Sequence, residues 1–122
     1  MNQFTVSSKI TNGVDILQLS GYLDAHTAAQ LESAIEKIVK SGRHNILAEF
    51  SGLDYISSAG LGVFMVFIED VRASGGDIKL CCMKPKVFTV FDLLGFPLLF
   101  EIYQTEAEAL EKFELADKKQ DE

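Results

Sequence analysis

A tight turn followed by strands and helices in alternation constrains this chain most. Asn12-Gly13 is a strong two-residue hairpin signal. Before it, Phe4, Val6 and Ser8 alternate with polar neighbours, as an edge strand does. After it, Val14 to Ser20 reads as the returning strand, ended by Gly21. Leu31, Ala34, Ile35 and Ile38 then recur at helix spacing, and Gly42 closes that helix. Thr27 with Gln30 forms a capping-box pattern. Thr27 is therefore the predicted N-cap, and Asp24 lies in the lead-in loop.

Asn45 to Phe50 reads as a short apolar strand, and Ser51 to Ile56 as a loop. Leu61, Phe64, Met65 and Ile68 place a strongly apolar helix next, stopped by Gly75-Gly76. Ile78 to Met83 is another strand. Pro85 opens a helix through Val87, Phe88, Val90, Phe91 and Leu94, stopped by Gly95. Phe100 to Tyr103 reads as a short last strand. Thr105 and Glu108 form a second capping box before Leu110 and Phe113. Strands alternating with helices imply parallel pairing through right-handed crossovers. The predicted fold class is α/β, with a mixed sheet of four or five strands and about four helices. The first two strands are antiparallel and the rest parallel. One domain spans 1–115, and a charged, frayed tail occupies 116–122.

Composition narrows the function. The 122 residues are 48% hydrophobic, enough for one real core. Eighteen acidic against eleven basic residues give a net charge of -7. A uniformly acidic domain repels nucleic-acid phosphates and anionic lipid headgroups. The longest uncharged apolar stretch, Gly60 to Ile68, is far short of the about 20 residues that span a bilayer. The N-terminus lacks a signal-peptide pattern, so the expectation is a cytoplasmic protein without membrane insertion. Cys81 and Cys82 are adjacent. Neighbours in a strand point to opposite faces, so the pair is read as small buried hydrophobes rather than a disulfide.

Most catalytic patterns are missing. The residues around Ser58 do not form a Gly-x-Ser-x-Gly elbow. His26 and His44 flank the first helix, about 25 Å apart at about 1.5 Å per residue, and share no site. No Cys-x-x-Cys or i, i+4 histidine pair suggests zinc. The expectation is no enzyme, no cofactor and no metal. One segment stands out: Tyr55-Ile-Ser57-Ser58-Ala59-Gly60-Leu-Gly62 leads from strand and loop into the apolar helix. A serine there serves as an N-cap or stands exposed at the carboxyl edge of the sheet. A phosphate on it would meet free N–H groups at the helix start and add about -1.5 to -2 of charge without unfolding anything.

Two segments together resemble the STAS domain family, in particular the bacterial anti-sigma factor antagonists. Gly21-Tyr-Leu-Asp24-Ala-His-Thr27 resembles the family's Gly-x-Leu-Asp-x-x-Thr. Leu53 to Gly62 resembles its Asp-Ser-Ser/Thr-Gly-Leu-Gly loop. Gly75-Gly76, Cys81-Cys82-Met83 and the run Phe91 to Phe96 add weaker support, and the similarity spans about Phe4 to Phe113. The resemblance implies partner switching. The unphosphorylated protein binds an anti-sigma factor that is also an ATP-dependent serine kinase. Phosphorylation releases it, and a phosphatase resets it.

Aligning Gly60-Leu61 with the family's Gly-Leu puts the phosphorylated residue at Ser58. The family's preceding Asp is Ser57 here, which makes Ser57 the alternative acceptor. The following Ser or Thr is Ala59, and Tyr22 stands where an acidic residue is frequent. Asp24 and the Ser58 loop both follow strands expected to be parallel neighbours, so they emerge at one sheet edge. The implied partner-binding face comprises Tyr22, Asp24, Thr27, Ser57, Ser58, Ala59, Gly60 and Val63. The alternative function is a non-switching STAS module, serving as scaffold, ligand sensor or subunit of a transport-regulating complex.

Overall fold

The Asn12-Gly13 turn forms as predicted. Asn12 has φ 52° and Gly13 φ 78°, the two positive values that a type I′ hairpin requires. It joins β1, Phe4–Thr11, to β2, Val14–Leu23, in antiparallel register from Thr11↔Val14 to Phe4↔Gly21. In this computed structural model the backbone is described for residues 3–121 and the side chains for residues 3–116. The tail expected at 116–122 thus falls almost wholly outside the described side chains.

Chain order continues through α1 (Ala28–Lys40), β3 (Asn45–Ile56), α2 (Ser58–Ala73), β4 (Asp77–Cys81), α3 (Pro85–Leu93), β5 (Ile102–Tyr103) and α4 (Glu106–Asp121). A 3-10 turn at Phe96–Leu98 links α3 to β5. The sheet order is β1-β2-β3-β4-β5, with every pairing after the hairpin parallel. The mixed α/β architecture expected from the sequence is the one observed.

Two strands run further than predicted. Gly21 does not end β2. It sits at φ 91° beside a register shift, and the strand resumes through Tyr22 and Leu23. β3 does not stop at Phe50, because Leu53 and Ile56 are buried and pair with Gly21 and Leu23. β2 approaches its neighbours closely here on both sides. A Cβ at Gly21 would lie 1.7 Å from the Gln3 carbonyl oxygen, and one at Gly52 2.9 Å from that of Leu19. Gly21→Ala is therefore expected to cost at least the about 1–2 kcal/mol of a left-handed alanine, and to loosen the start of β1. Chemical denaturation checks this; an unchanged midpoint would refute the bulge account.

The third difference lies at the end of β4, which stops at Cys81 rather than Met83. Cys82 has φ 65°, a left-handed backbone rare for a side-chain-bearing residue. That turn cancels the strand alternation. The two sulfurs lie 3.5 Å apart instead of on opposite faces.

Helices cover both faces of the sheet. α1, α2 and α3 pack on the side presenting Leu17, Leu19, Ile46, Ala48 and Phe50. Five phenylalanines close a circuit there: Phe50–Phe64–Phe100–Phe96–Phe91 and back to Phe50, with centroids 5.3–6.3 Å apart. α4 covers the opposite face over Val14, Ile16, Leu47 and Cys81 with Ala109 and Phe113. Its start is capped much as predicted: the Thr105 hydroxyl accepts from the Glu108 N–H at 3.1 Å, and the Glu108 carboxylate accepts from the Gln104 N–H. Sequence reading missed Asp15, buried on β2 and bound by Arg43 Nη2 and Nε at 2.6 and 2.8 Å. Removing Arg43 would strand that carboxylate in the core.

Candidate functional site

Leu23 and Ile56 are register partners at the carboxyl end of the sheet. Their parallel pairing sends the β2–α1 and β3–α2 connections out together, as predicted. One hydrogen bond ties them directly: the Ser57 N–H donates to the Leu23 carbonyl at 2.9 Å.

The first connection is a self-contained turn. Asp24 Oδ1 accepts from the N–H groups of His26 at 2.9 Å and Thr27 at 3.2 Å. Thr27 Oγ1 accepts from the Asp24 N–H and donates to the Tyr22 carbonyl, both at 2.9 Å. Thr27 stands at the N-cap position of α1, yet its side chain makes no cap hydrogen bond. The predicted capping box with Gln30 is therefore absent, because the Thr27 hydroxyl is spent backwards on its own lead-in turn.

The second connection is shorter. Ser57 is the N-cap of α2, with φ -103° and ψ 172°, and its carbonyl accepts from the Leu61 N–H at 3.1 Å. Its hydroxyl caps nothing: Oγ is buried and makes no hydrogen bond. Such a group costs about 1–3 kcal/mol in lost hydration. Ser58 is the first residue of the helix and is exposed, as is Ala59. The first turn of α2 carries no acidic side chain. Its orphan N–H groups and positive end therefore meet no competing side-chain anion from that turn.

Gly60 and Val63 are not surface residues. A Cβ at Gly60 would lie 2.7 Å from Leu23 Cγ and 3.1 Å from Ile56 Cγ1. Gly60 is thus the close contact that seats α2 on the strand ends. Val63 is 5% exposed and belongs to the core. Neither can present a side chain to a partner. The outward apolar residues of α2 are Met65 and Val66, 43% and 66% exposed. Tyr22, Asp24, Thr27 and Ser57 are half-buried.

Two contacts escaped the sequence reading. Tyr22 stacks on its register partner Tyr55 at 5.5 Å and 25°. Asp54 accepts from Lys84 at 2.5 Å, with Lys86 at 4.0 Å. The Lys84 ammonium holds the Asp54 carboxyl below its usual range. Both contacts depend on β3 extending to Ile56, which a strand ending at Phe50 conceals. His26 is exposed and His44 half-buried, at opposite ends of α1.

A profile of the STAS domain family matches residues 5–109, nearly the whole chain. The chain belongs to the STAS domain family. It is 33% identical over 105 residues to BtrV of Bordetella bronchiseptica, named as an anti-sigma factor antagonist, covering 86% of this chain and 90% of that one. It is 29% identical over 104 residues to the anti-sigma F factor antagonist of Paenibacillus polymyxa, covering 84% and 89%. Among solved structures it resembles the anti-sigma factor antagonist SpoIIAA in its unphosphorylated form. There the TM-score is 0.75 at 25% identity, over 90% of this chain and 95% of that one. The STAS match runs from β1 into α4 and so takes in both connections of the site. Among the described residues, no helix of this STAS domain is long and apolar enough to cross a membrane.

Proposed function

We propose that this STAS domain is an anti-sigma factor antagonist that works by partner switching. Unphosphorylated, it docks on an anti-sigma factor that is also a serine kinase, the kinase binding the ATP. Phosphorylation of Ser58 breaks the complex, and a phosphatase restores it. The observation that carries this reading is the contrast between two adjacent serines. Ser58 is exposed at the first position of α2, whereas the Ser57 hydroxyl is buried. A kinase needs an accessible nucleophilic oxygen, so Ser58 is the acceptor and Ser57 is not. The relatives named as antagonists support the same reading.

Incubation with the cognate kinase and ATP, followed by tandem mass spectrometry, tests it. Phosphate is expected on Ser58 in the wild type and in Ser57→Ala. Phosphate on Ser57, or on neither serine, would overturn the proposal.

Asp24 has a separate expected outcome. Its carboxylate organises the turn beside Ser57 through two N–H groups, and an asparagine oxygen can accept the same bonds. Asp24→Asn should therefore keep stability within about 0.5 kcal/mol, as for surface substitutions. Because it removes a charge from the docking face, it should also weaken partner binding severalfold. Titration calorimetry reads the affinity, and an unchanged value assigns Asp24 to the turn alone.

A further inference from the structure

The adjacent cysteines have no part in partner switching, yet their geometry is specific. Cys81 ends β4 and is wholly buried beneath α4. Cys82 follows at φ 65° and is half-buried. That left-handed turn brings the sulfurs to 3.5 Å, where an extended strand would separate them. Cys82 is held in place by its N–H, which donates to the Tyr103 carbonyl at 3.1 Å. A non-glycine residue keeps such a backbone only where its surroundings enforce it. The fold therefore holds two thiols ready for ring closure.

We propose that Cys81 and Cys82 form a reversible disulfide between neighbouring residues when the chain meets a small-molecule disulfide. Cys82, the more accessible thiol, loses its proton and attacks one sulfur of that oxidant. A mixed disulfide forms and one small thiolate leaves, taking up a proton. The Cys81 thiol then loses its proton and attacks the Cys82 sulfur, expelling the second small thiol. The protein gives up two electrons and two protons, and the oxidant becomes two thiols. Burial raises both thiols above their ordinary range. They rest protonated and react slowly with weak oxidants.

The bond would be a labile one. Consecutive Cα atoms lie about 3.8 Å apart, below the about 4.4–6.8 Å usual across a disulfide. Strained disulfides are readily reduced. In a reducing compartment this one would open once the oxidant is gone. While closed, it would fix the connection from β4 into α3, which carries the Lys84 that holds Asp54.

The test uses the reduced chain and oxidised glutathione. Intact mass should fall by two hydrogens with no glutathione retained. Both cysteines should resist alkylation, no covalent dimer should form, and dithiothreitol should reverse the change. In Cys81→Ala, which lacks the resolving thiol, one glutathione should remain on Cys82. Three results would overturn the proposal: stable glutathione on both wild-type cysteines, a covalent dimer, or no reaction of the native chain where the urea-unfolded chain is oxidised. The wild-type arms decide it even if the variant folds poorly.

Discussion

Phe64→Ala is expected to destabilise the protein by about 3–5 kcal/mol, the range for emptying a packed aromatic site. Phe64 is wholly buried on the inner face of α2. Its ring lies 5.9 Å from that of Phe50 on β3 and 6.3 Å from that of Phe100. Deleting it opens the phenylalanine circuit at two contacts, each worth about 0.5–1.5 kcal/mol beyond simple burial. The circuit cannot close over the gap cheaply, because Phe50, Phe91 and Phe96 are fixed by their own neighbours. Val66 on the same helix is 66% exposed, so Val66→Ala should change stability by no more than about 0.5 kcal/mol. Urea denaturation measures both. A loss under about 1 kcal/mol at Phe64 would mean that the aromatic circuit does not hold α2 to the sheet.

The elements that announced themselves in the sequence were those set by local rules. Asn12-Gly13 dictated the hairpin because both residues tolerate positive φ. The spacing of Leu31, Ile35 and Ile38 dictated the buried face of α1. Features set by contacts distant in sequence stayed hidden. β3 continues past Phe50 because β2 lies beside it, and no local signal in Ser51 to Ile56 outweighs Gly52 and Asp54 as loop residues. The Tyr22–Tyr55 stack and the Asp54–Lys84 pair consequently went unnoticed, although they flank the site. The Thr27 capping box failed for a related reason. Its pattern was right, but the Tyr22 carbonyl competes for the hydroxyl, and that competitor exists only once β2 runs to Leu23. Cys82 reversed the alternation rule because β5, pairing through Tyr103, holds its backbone in a left-handed turn. At Ser58 the motif identified the segment. The structure distinguishes the exposed Ser58 from Ser57, whose hydroxyl is buried.

That distinction carries the largest functional effect. On the proposed switching mechanism, phosphorylation of Ser58 should weaken docking on the partner by about 30- to 150-fold, the equivalent of about 2–3 kcal/mol. The added charge is about -1.5 to -2, and it enters a chain already at -7. A protein packed against the start of α2 would have to strip water from that anion. The fold itself should be indifferent, because a negative group at the first helical position is favoured by about 0.3–1 kcal/mol. Ser58→Asp supplies only part of the phosphate charge, so it should fall at the weak end of the same range while melting near the wild type. Ser58→Ala should bind at full strength and stay bound in the presence of kinase and ATP. Ser57→Ala should bind and release the partner as wild type does and melt no lower than it, since its hydroxyl faces the interior without a partner. Binding measured by surface plasmon resonance, beside thermal melts of the same proteins, separates the two effects. If Ser58→Asp binds as tightly as wild type, the start of α2 does not contact the partner. If it binds poorly but also melts well below wild type, the loss belongs to the fold rather than to a switch.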